Sequence, residues 1–148
     1  MKPRLDYYHA SPAMIDRLSQ LSSQRQTAFT DEKLKALVEL RVSQINGCAY
    51  CIDLHSHQAR LLGERQQRLD CLPVWREVDF FDDRERAAFA WAESVTLVSQ
   101  THVPDDVFAE ASRHYSNEEL VQLTIVIGLM NLWNRISISF RNTPELRG

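Results

Sequence analysis

Three side chains near the middle of the sequence have the types and spacing of a thiol redox centre. The segment 47–57 reads GCAYCIDLHSH, so Cys48, Cys51 and His55 stand at positions i, i+3 and i+7. On an α-helix that begins near Cys48, these positions project within an arc of about 60°. We therefore expect the two thiols and the imidazole to lie on one face of one helix.

This arrangement indicates thiol chemistry without a cofactor. The free N–H groups at a helix start stabilise a thiolate, and His55, at i+4 from Cys51, is within reach to accept its proton. A thiolate attacks a peroxide oxygen and becomes a sulfenic acid, which the neighbouring thiol converts to a disulfide. An external dithiol must then reduce that disulfide by exchange. The cycle needs no metal, flavin or haem.

Two other interpretations use the same residues. Zinc could bind Cys48, Cys51 and His55, but a closed structural site requires a fourth ligand, and His57 falls roughly opposite Cys48 on a helix. Alternatively, the cysteines form a packed apolar pair beside a surface histidine. The third cysteine, Cys71, is interpreted as a buried small residue rather than a redox thiol. The histidines without a partner pattern are interpreted as surface or packing residues: His9, His102 and His114.

The rest of the chain predicts helices and no sheet. Only four glycines occur in 148 residues, and no segment alternates convincingly between apolar and polar side chains. Capping residues predict helix starts, and glycine or proline predicts helix ends. Capping-box patterns, in which an acid follows three residues after the cap, begin at Asp82 and Ser116. The predicted helices are 12–24 after Ser11, 31–45 after Thr30, 48–62 ending at Gly63, 64–75 closed by Pro73, 83–99, a short one after Pro104, and 117–141.

The last predicted helix is apolar on nearly every side. A surface helix needs only one apolar stripe, so this helix must be central or lie in a subunit interface. We expect both, with a homo-oligomer as the state of the protein. Asn134 and Arg135 interrupt the apolar run, and we interpret them as satisfying polar partners within the core or interface rather than lining a pocket.

Composition narrows the class of protein. Hydrophobic residues make up 44% and charged residues 25%, which suits one domain over 1–148 with a substantial core. The net charge of -3 gives no basic footprint for nucleic acid or an anionic membrane. The N-terminus lacks the apolar run of a signal peptide, and the most apolar segment, 123–130, is too short to span a bilayer. We expect a cytoplasmic protein, where three cysteines favour a reactive pair plus one spare thiol.

The sequence resembles the alkylhydroperoxidase AhpD-like branch of the carboxymuconolactone decarboxylase superfamily. The stretch 40–55, LRVSQINGCAYCIDLH, contains the family's Asn-Gly-Cys-x-x-Cys-x-x-x-His core. Two further stretches look like the family's: 84–96, with its AFAWAE run, and 116–141, with NLWNR. The resemblance implies an all-α bundle of six to seven helices, assembled into dimers, trimers or hexamers, with thiol peroxidase or disulfide reductase activity.

The resemblance also implies a role for each thiol. In the family the second cysteine attacks the peroxide and the first resolves, so Cys51 would be peroxidatic, Cys48 resolving and His55 part of a proton relay. The substrate would be a hydroperoxide and the reductant an external dithiol or disulfide protein. The helix-dipole argument favours Cys48 as the more acidic thiol instead, because it lies nearer the helix start. We follow the histidine and expect attack by Cys51.

One position departs from the family pattern. The family's relay uses a glutamate twelve residues before the first cysteine, where this chain has Ala36, whose methyl group cannot carry a proton. Glu39 and Glu32, at i+3 and i-4 from Ala36, each lie within roughly 60° of its direction on a helix. We expect Glu39, the closer to the cysteines, to serve as the relay acid. The family's second histidine, sometimes between the cysteines, is also missing, and Tyr50 stands near its place.

Four function classes follow from these patterns. The first is a two-cysteine peroxidase or dithiol–disulfide oxidoreductase that acts on alkyl hydroperoxides. The second is a lactone decarboxylase of the same superfamily, whose members generally lack the cysteine pair. The third is a non-catalytic redox sensor in which the cysteine state changes assembly, and the fourth is a zinc module. The sequence favours the first.

Overall fold

Helices dominate the described part of the chain, residues 1–23 and 31–147, and no strand occurs within it. The structure is a computed structural model, and it confirms the all-α prediction. The described residues form nine α-helices and one 3₁₀ helix, more than the six to seven predicted. In chain order these are α1 (Tyr7–Ala10), α2 (Pro12–Ser23), α3 (Glu32–Asn46), α4 (Ala49–Leu61), α5 (Gln66–Cys71), a 3₁₀ helix (Leu72–Glu77), α6 (Asp83–Thr96), α7 (Val98–Thr101), α8 (Asp105–His114) and α9 (Asn117–Phe140).

The core lies between α3, α6 and α9, with α4 packed along α3. Apolar residues at helical spacing give each of these helices a buried face. Leu37, Phe89, Leu123 and Ile127 are among the largest fully buried side chains. The buried residues of α4 are Cys51, His55 and Ala59, so the face that carries the predicted site is also its packing face.

Local capping explains where several helices begin. The side chains of Asp82 and Ser116 each accept a hydrogen bond from the backbone N–H three residues later. The side chains of Glu85 and Glu119 in turn accept from the backbone N–H of the cap residue. Both predicted capping boxes are therefore confirmed. The predicted N-cap Thr30 lies outside the described residues, and Asp31 caps α3 by accepting from Leu34 N–H at 3.0 Å.

Two predicted helix boundaries need correction, and one helix near the N-terminus was not predicted. The proposed helix 64–75 is shorter, and Pro73 does not close it, because the proline lies in the first turn of a following 3₁₀ helix, where its missing N–H is not needed. The helix predicted over 83–99 ends at Thr96, and a separate short helix follows from Val98. Helix α1, whose N-cap is Asp6, was not predicted.

Helix α9 has two different faces. Leu123, Ile127 and Asn134 are fully buried, whereas Ile125 and Leu132 on the other side are 50% and 44% exposed. The prediction from 123–130 that this region is too short to span a bilayer needs correction, because the whole helix is long and apolar enough (mean hydropathy 1.3) by length and composition, with 28% of its most apolar window buried. One face is thus central, as expected, while the other is apolar and uncovered in the single chain.

Candidate active site

The turn before α4 puts the two cysteines at a helix start. Helix α3 ends at Asn46, and Gly47 follows in the left-handed conformation (φ 69°), which glycine adopts without steric cost. Cys48 N–H then donates to Ser43 O at 3.1 Å. The helix itself begins at Ala49, one residue later than predicted, so Cys48 is its N-cap.

Cys48 and Cys51 are joined by a disulfide bond. The Cys51 N–H also points at Cys48 Sγ, 3.3 Å away, so the sulfur takes the place of a capping oxygen. Both side chains are buried, but only Cys51 lines the adjacent cavity. Cys51 is therefore the cysteine that borders the cavity, and Cys48 is not part of its lining.

His55 lies one turn beyond Cys51 and meets an acid from α3. Its Nδ1 atom is 3.3 Å from Glu39 Oε2, and the two side chains are 7% and 16% exposed. Nδ1 has no hydrogen-bond partner among the described residues, so this contact is a close approach of polar atoms rather than a formed hydrogen bond. The other candidate acid, Glu32, is exposed at the cavity rim, and the Ala36 methyl lines the cavity between the two acids.

Burial shifts the pKa of both side chains in this pair. Loss of water around Glu39 raises the pKa of its carboxyl to about 7, against a smaller lowering by the Lys35 charge. Loss of water around His55 lowers the pKa of its imidazole to about 4, although a hydrogen bond with Gln58 raises it. Near pH 6, therefore, both side chains are uncharged, and the imidazole is in the form that can accept a proton.

A chain of buried polar contacts supports the turn from α9. Asn46 donates from Nδ2 to the side-chain oxygens of Asn131 (3.0 Å) and Asn134 (2.9 Å). Asn134 donates in turn to Ser43 Oγ at 3.1 Å, and Ser43 donates to Glu39 O at 2.8 Å. The interpretation of Asn134 as a satisfied core residue is confirmed.

A cavity of about 950 Å³ lies beside this group. Its walls come from α2, α3, α4 and α9, together with Tyr7 and Tyr8 near the N-terminus, and the lining is mostly apolar. Cys51, His55 and Glu39 face it from one side, with Tyr50 beside them. No sequence pattern pointed to Tyr7, because its position depends on the segment just after α9, where Asn142 donates to its hydroxyl at 3.0 Å.

The remaining sequence candidates lie elsewhere. Cys71 is a free thiol at the end of α5 and is half-buried rather than fully buried. His9 pairs with Asp6 at 2.6 Å, and His114 approaches Glu110 at 3.1 Å. Arg135 is exposed and donates to the Asn131 carbonyl oxygen. Within residues 1–23 and 31–147, no three His, Cys, Asp or Glu side chains are grouped so as to hold a metal ion.

Comparison with known proteins identifies the relatives of this site. The family model described as the carboxymuconolactone decarboxylase family matches residues 29–94, a span that includes both cysteines, His55 and Glu39. The chain is 37% identical to the uncharacterized protein YdfG of Bacillus subtilis over 96% of its own length and 97% of that protein. The chain belongs to the carboxymuconolactone decarboxylase family, in its AhpD-like branch.

Solved structures agree with this assignment. A protein of unknown function from Agrobacterium tumefaciens, proposed to be the antioxidant defence protein AhpD, superposes with a TM-score of 0.94 at 36% identity, over 99% of this chain and 100% of that one. An alkylhydroperoxidase AhpD core protein from Ralstonia eutropha gives a TM-score of 0.78 at 18% identity, over 93% of this chain and 74% of that one, and shows the fold alone. The AhpD-like fold and a paired Cys48–Cys51 disulfide are compatible with redox chemistry of the peroxidase kind.

Proposed function

We propose that the protein is a cofactor-free thiol peroxidase that reduces alkyl hydroperoxides through Cys48 and Cys51. The observation that carries the proposal is the placement of Cys51 at a cavity wall, bonded to Cys48 and followed one turn later by a buried His55–Glu39 pair. An external dithiol, free or on a partner protein, supplies the electrons.

The proposed catalytic cycle uses three side chains of the protein, the hydroperoxide as oxidant and the external dithiol as reductant. The Cys51 thiol gives its proton to neutral His55, and the thiolate attacks the terminal oxygen of the hydroperoxide. The O–O bond breaks, Cys51 becomes a sulfenic acid, and the departing alkoxide takes the proton from His55 and leaves as an alcohol. Cys48 then attacks the Cys51 sulfur, which releases water and forms the disulfide. The dithiol reduces that disulfide by exchange and is itself oxidised.

Cys51 is the better candidate for attack because substrate can reach it. The helix start favours ionisation of the Cys48 thiol, since the Cys51 N–H points at the Cys48 sulfur. Both cysteines are buried, at 1% exposed for Cys48 and 3% for Cys51, but Cys51 lines the cavity and Cys48 does not. In this proposal the position of Cys51 at the cavity and next to His55 outweighs the effect of the α4 helix dipole on Cys48. Cys48 therefore acts as the resolving thiol.

Glu39 is proposed as the acid that replaces the missing family glutamate at Ala36. Its carboxyl is the one that approaches His55, whereas Glu32 is exposed. When His55 takes the thiol proton, the imidazolium forms 3.3 Å from the Glu39 carboxyl. Burial raises the pKa of this carboxyl to about 7, so above that pH it is ionised and stabilises the imidazolium by charge attraction in a site with little water.

Rapid mixing of the reduced protein with cumene hydroperoxide tests the proposal. A Cys71→Ser background removes the unrelated thiol, so that loss of two thiols per chain reports the Cys48–Cys51 pair. We expect Cys51→Ser to abolish thiol oxidation. We expect Cys48→Ser to allow one turnover that stops at a sulfenic acid, which dimedone would trap. If the parent loses no thiol at millimolar peroxide, or if Cys51→Ser behaves like the parent, the peroxidase proposal is wrong.

A second measurement tests the relay. The Cys51 thiol pKa, read from the pH dependence of alkylation in a Cys48→Ser, Cys71→Ser background, should rise in His55→Ala and change in Glu39→Gln. Glu77→Gln is the control, because it removes an exposed acid that does not line the cavity and should leave the thiol pKa unaltered. A Glu39→Gln variant with the parent's pKa and rate would remove Glu39 from the relay.

A redox-sensing oligomer is the second candidate. The observation that favours it is the uncovered apolar face of α9, which in a cytoplasmic protein would be covered by another copy of the chain. Native mass measured with and without reductant separates the two functions. A change in subunit number without peroxide consumption supports the sensor, and consumption at constant mass supports the enzyme.

A further inference from the structure

Asn46, the last residue of α3, ties the end of that helix to α9. Its side-chain nitrogen donates one hydrogen bond to Asn131 Oδ1 at 3.0 Å and one to Asn134 Oδ1 at 2.9 Å. A side-chain amide nitrogen carries two N–H donors, so both are in use. Because the two acceptors lie on one face of α9, one turn apart, the Asn46 side chain cannot rotate without losing a bond.

The two acceptors are held in turn by the helices around them. Asn134 is fully buried and donates from Nδ2 to Ser43 Oγ at 3.1 Å. Asn131 donates from Nδ2 to Thr96 Oγ1 on α6 at 3.2 Å. The Asn46 side chain is therefore anchored to a part of α9 that is itself bonded to α3 and α6. Water cannot easily replace a lost bond in this group, since Asn134 and Ser43 are both fully buried.

Cys48 follows the end of α3 after one exposed glycine, Gly47. The Cys48 N–H donates to Ser43 O, in the last turn of α3, at 3.1 Å. Helix ends fray because their last carbonyl groups lack partners within the helix, and glycine is the residue type with the most conformational freedom. Unwinding of the last turn of α3 would move Gly47 and Cys48 together. The bonds from Asn46 to α9 oppose that unwinding, so they hold Cys48 in place from a third helix.

This anchoring matters most when the disulfide is open. A disulfide keeps its two sulfur atoms about 2.05 Å apart and fixes the turn whether or not Asn46 is bonded. In the dithiol, the sulfur atoms separate to ordinary contact at roughly 3.5–4 Å, and the surrounding bonds must keep Cys48 beside Cys51. Formation of a disulfide within one chain depends on the effective concentration of one thiol at the other, which falls when either thiol can move away. Asn46 should therefore favour the disulfide over the dithiol.

We propose that Asn46 is a positioning residue for Cys48, which keeps this thiol beside Cys51 in the reduced protein and so makes the disulfide easier to form and harder to reduce. Asn46 acts through the Gly47 turn rather than on a sulfur atom. In the peroxidase cycle, it speeds the attack of the Cys48 thiol on the Cys51 sulfenic acid, in which the S–S bond forms, the S–O bond breaks, and hydroxide leaves with the thiol proton as water. This kinetic effect rests on the proposed peroxidase function, whereas the effect on the disulfide equilibrium does not.

Equilibration of the Cys71→Ser protein with mixtures of oxidised and reduced dithiothreitol measures the disulfide equilibrium without any peroxide. Loss of one hydrogen bond changes an equilibrium by roughly two- to tenfold, and Asn46→Ala removes two. We expect the equilibrium constant for disulfide formation to fall about tenfold, which raises the reduction potential by about 30 mV for a two-electron couple. Gln44→Ala is the matched control, because it removes an amide from the same turn of α3 whose oxygen accepts from Arg41 instead of bonding to α9, and it should leave the potential unchanged.

A second variant tests the same link even if Asn46→Ala does not fold. Asn131→Ala removes one of the two acceptors and places a strong helix former in α9. We expect its equilibrium constant for disulfide formation to fall about threefold. A potential equal to the parent's in folded Asn46→Ala, or in Asn131→Ala if only that variant folds, overturns the proposal. An equal shift in Gln44→Ala overturns it as well, because the effect would then not depend on the bonds to α9.

Trapping by dimedone during the reaction with cumene hydroperoxide measures the step made by Cys48. Asn46→Ala should lose its first thiol at the parent's rate and yield about tenfold more trapped Cys51 sulfenic acid, because the resolving thiol arrives more slowly. A shifted potential without thiol loss to peroxide contradicts the peroxidase function and leaves the effect of Asn46 on the disulfide standing. Thiol loss at the parent's rate, with an unshifted potential and unchanged trapping, contradicts the positioning role alone.

Discussion

The buried pair Glu39 and His55 makes a quantitative prediction about stability and pH. Burial raises the Glu39 pKa from 4.5 to about 7 and lowers the His55 pKa from 6.5 to about 4. Between pH 4.5 and 6.5 the folded chain carries a proton on Glu39 and none on His55. The unfolded chain carries a proton on His55 and none on Glu39. Stability depends on pH only through the difference in bound protons, and for this pair that difference is zero.

Replacing one partner exposes the contribution of the other. In Glu39→Gln, only His55 titrates, and the unfolded state binds the extra proton below pH 6.5. The free energy of unfolding should therefore fall, relative to the parent, as pH decreases from 6.5 to 4.5, the interval in which the parent's pair contributes no slope. At about 1.4 kcal/mol per pH unit, this fall amounts to about 3 kcal/mol.

The reverse variant should show the opposite slope. In His55→Gln, the folded state holds the extra proton, because the Glu39 pKa is raised above its unfolded value. Its stabilising effect is complete below pH 4.5 and is lost as pH rises through about 7. The free energy of unfolding should therefore fall relative to the parent by about 3 kcal/mol between pH 4.5 and 6.5, the interval in which the parent's pair contributes no slope.

Urea unfolding of the oxidised proteins at fixed pH values from 4 to 8 measures both slopes, because the disulfide prevents Cys48 and Cys51 from titrating. The difference between variant and parent at each pH cancels other carboxyls, such as Glu93, whose pKa is lowered chiefly by hydrogen bonds and nearby arginine charges that outweigh its burial. Glu77→Gln is the control, because it removes an exposed acid that does not line the cavity and should leave the slope of the parent unchanged. If neither Glu39→Gln nor His55→Gln shows a slope, the pair is not a buried uncharged one, and the reasoning above fails.

Two further changes have defined outcomes by urea unfolding at one pH. Asn134→Leu should lower the free energy of unfolding by about 1–3 kcal/mol, because it removes one hydrogen bond from Asn46 and one from Ser43 in a buried setting; exposed Asn117→Ala should change it by less than about 0.5 kcal/mol. Gly47→Ala should cost about 1 kcal/mol from its positive φ alone, since nothing lies within 4 Å of an added Cβ. Gly128→Ala, in a helix and equally unobstructed, should stabilise by about 0.5–1 kcal/mol; equal effects of the two glycine changes would contradict the conformational explanation.

Local patterns predicted much of the fold because they act over a few residues. The capping boxes at Asp82 and Ser116 each satisfy backbone N–H groups within one turn, so their positions were correct. The break at Gly47 was also correct, since a left-handed residue ends a helix wherever it occurs. Pro73 was misjudged because proline fits the first turn of a helix as well as it follows the end of one.

In the candidate site, too, some features follow from local sequence and others from tertiary packing. The spacing of Cys48, Cys51 and His55 follows from one turn and one helix, and the sequence alone brings them together. It favoured Glu39 over Glu32 only because Glu39 is closer to the cysteines, since both project near the direction of Ala36 on the same helix. Packing of α4 against α3 made the choice, since only Glu39 lies on the side where His55 is buried.

Long-range contacts decided the features that no local pattern encodes. The support of the turn by Asn46 depends on two asparagines more than eighty residues away. The helix dipole favours Cys48 as the attacking thiol, whereas the position of the histidine favours Cys51. The sequence could not show which of the two cysteines lines the cavity. The sequence by itself determined the helices, the thiol pair and its histidine, because these need only neighbours along the chain. The acid, the cavity and the uncovered face of α9 were decided by tertiary structure, because each arises where helices distant in sequence meet or fail to meet.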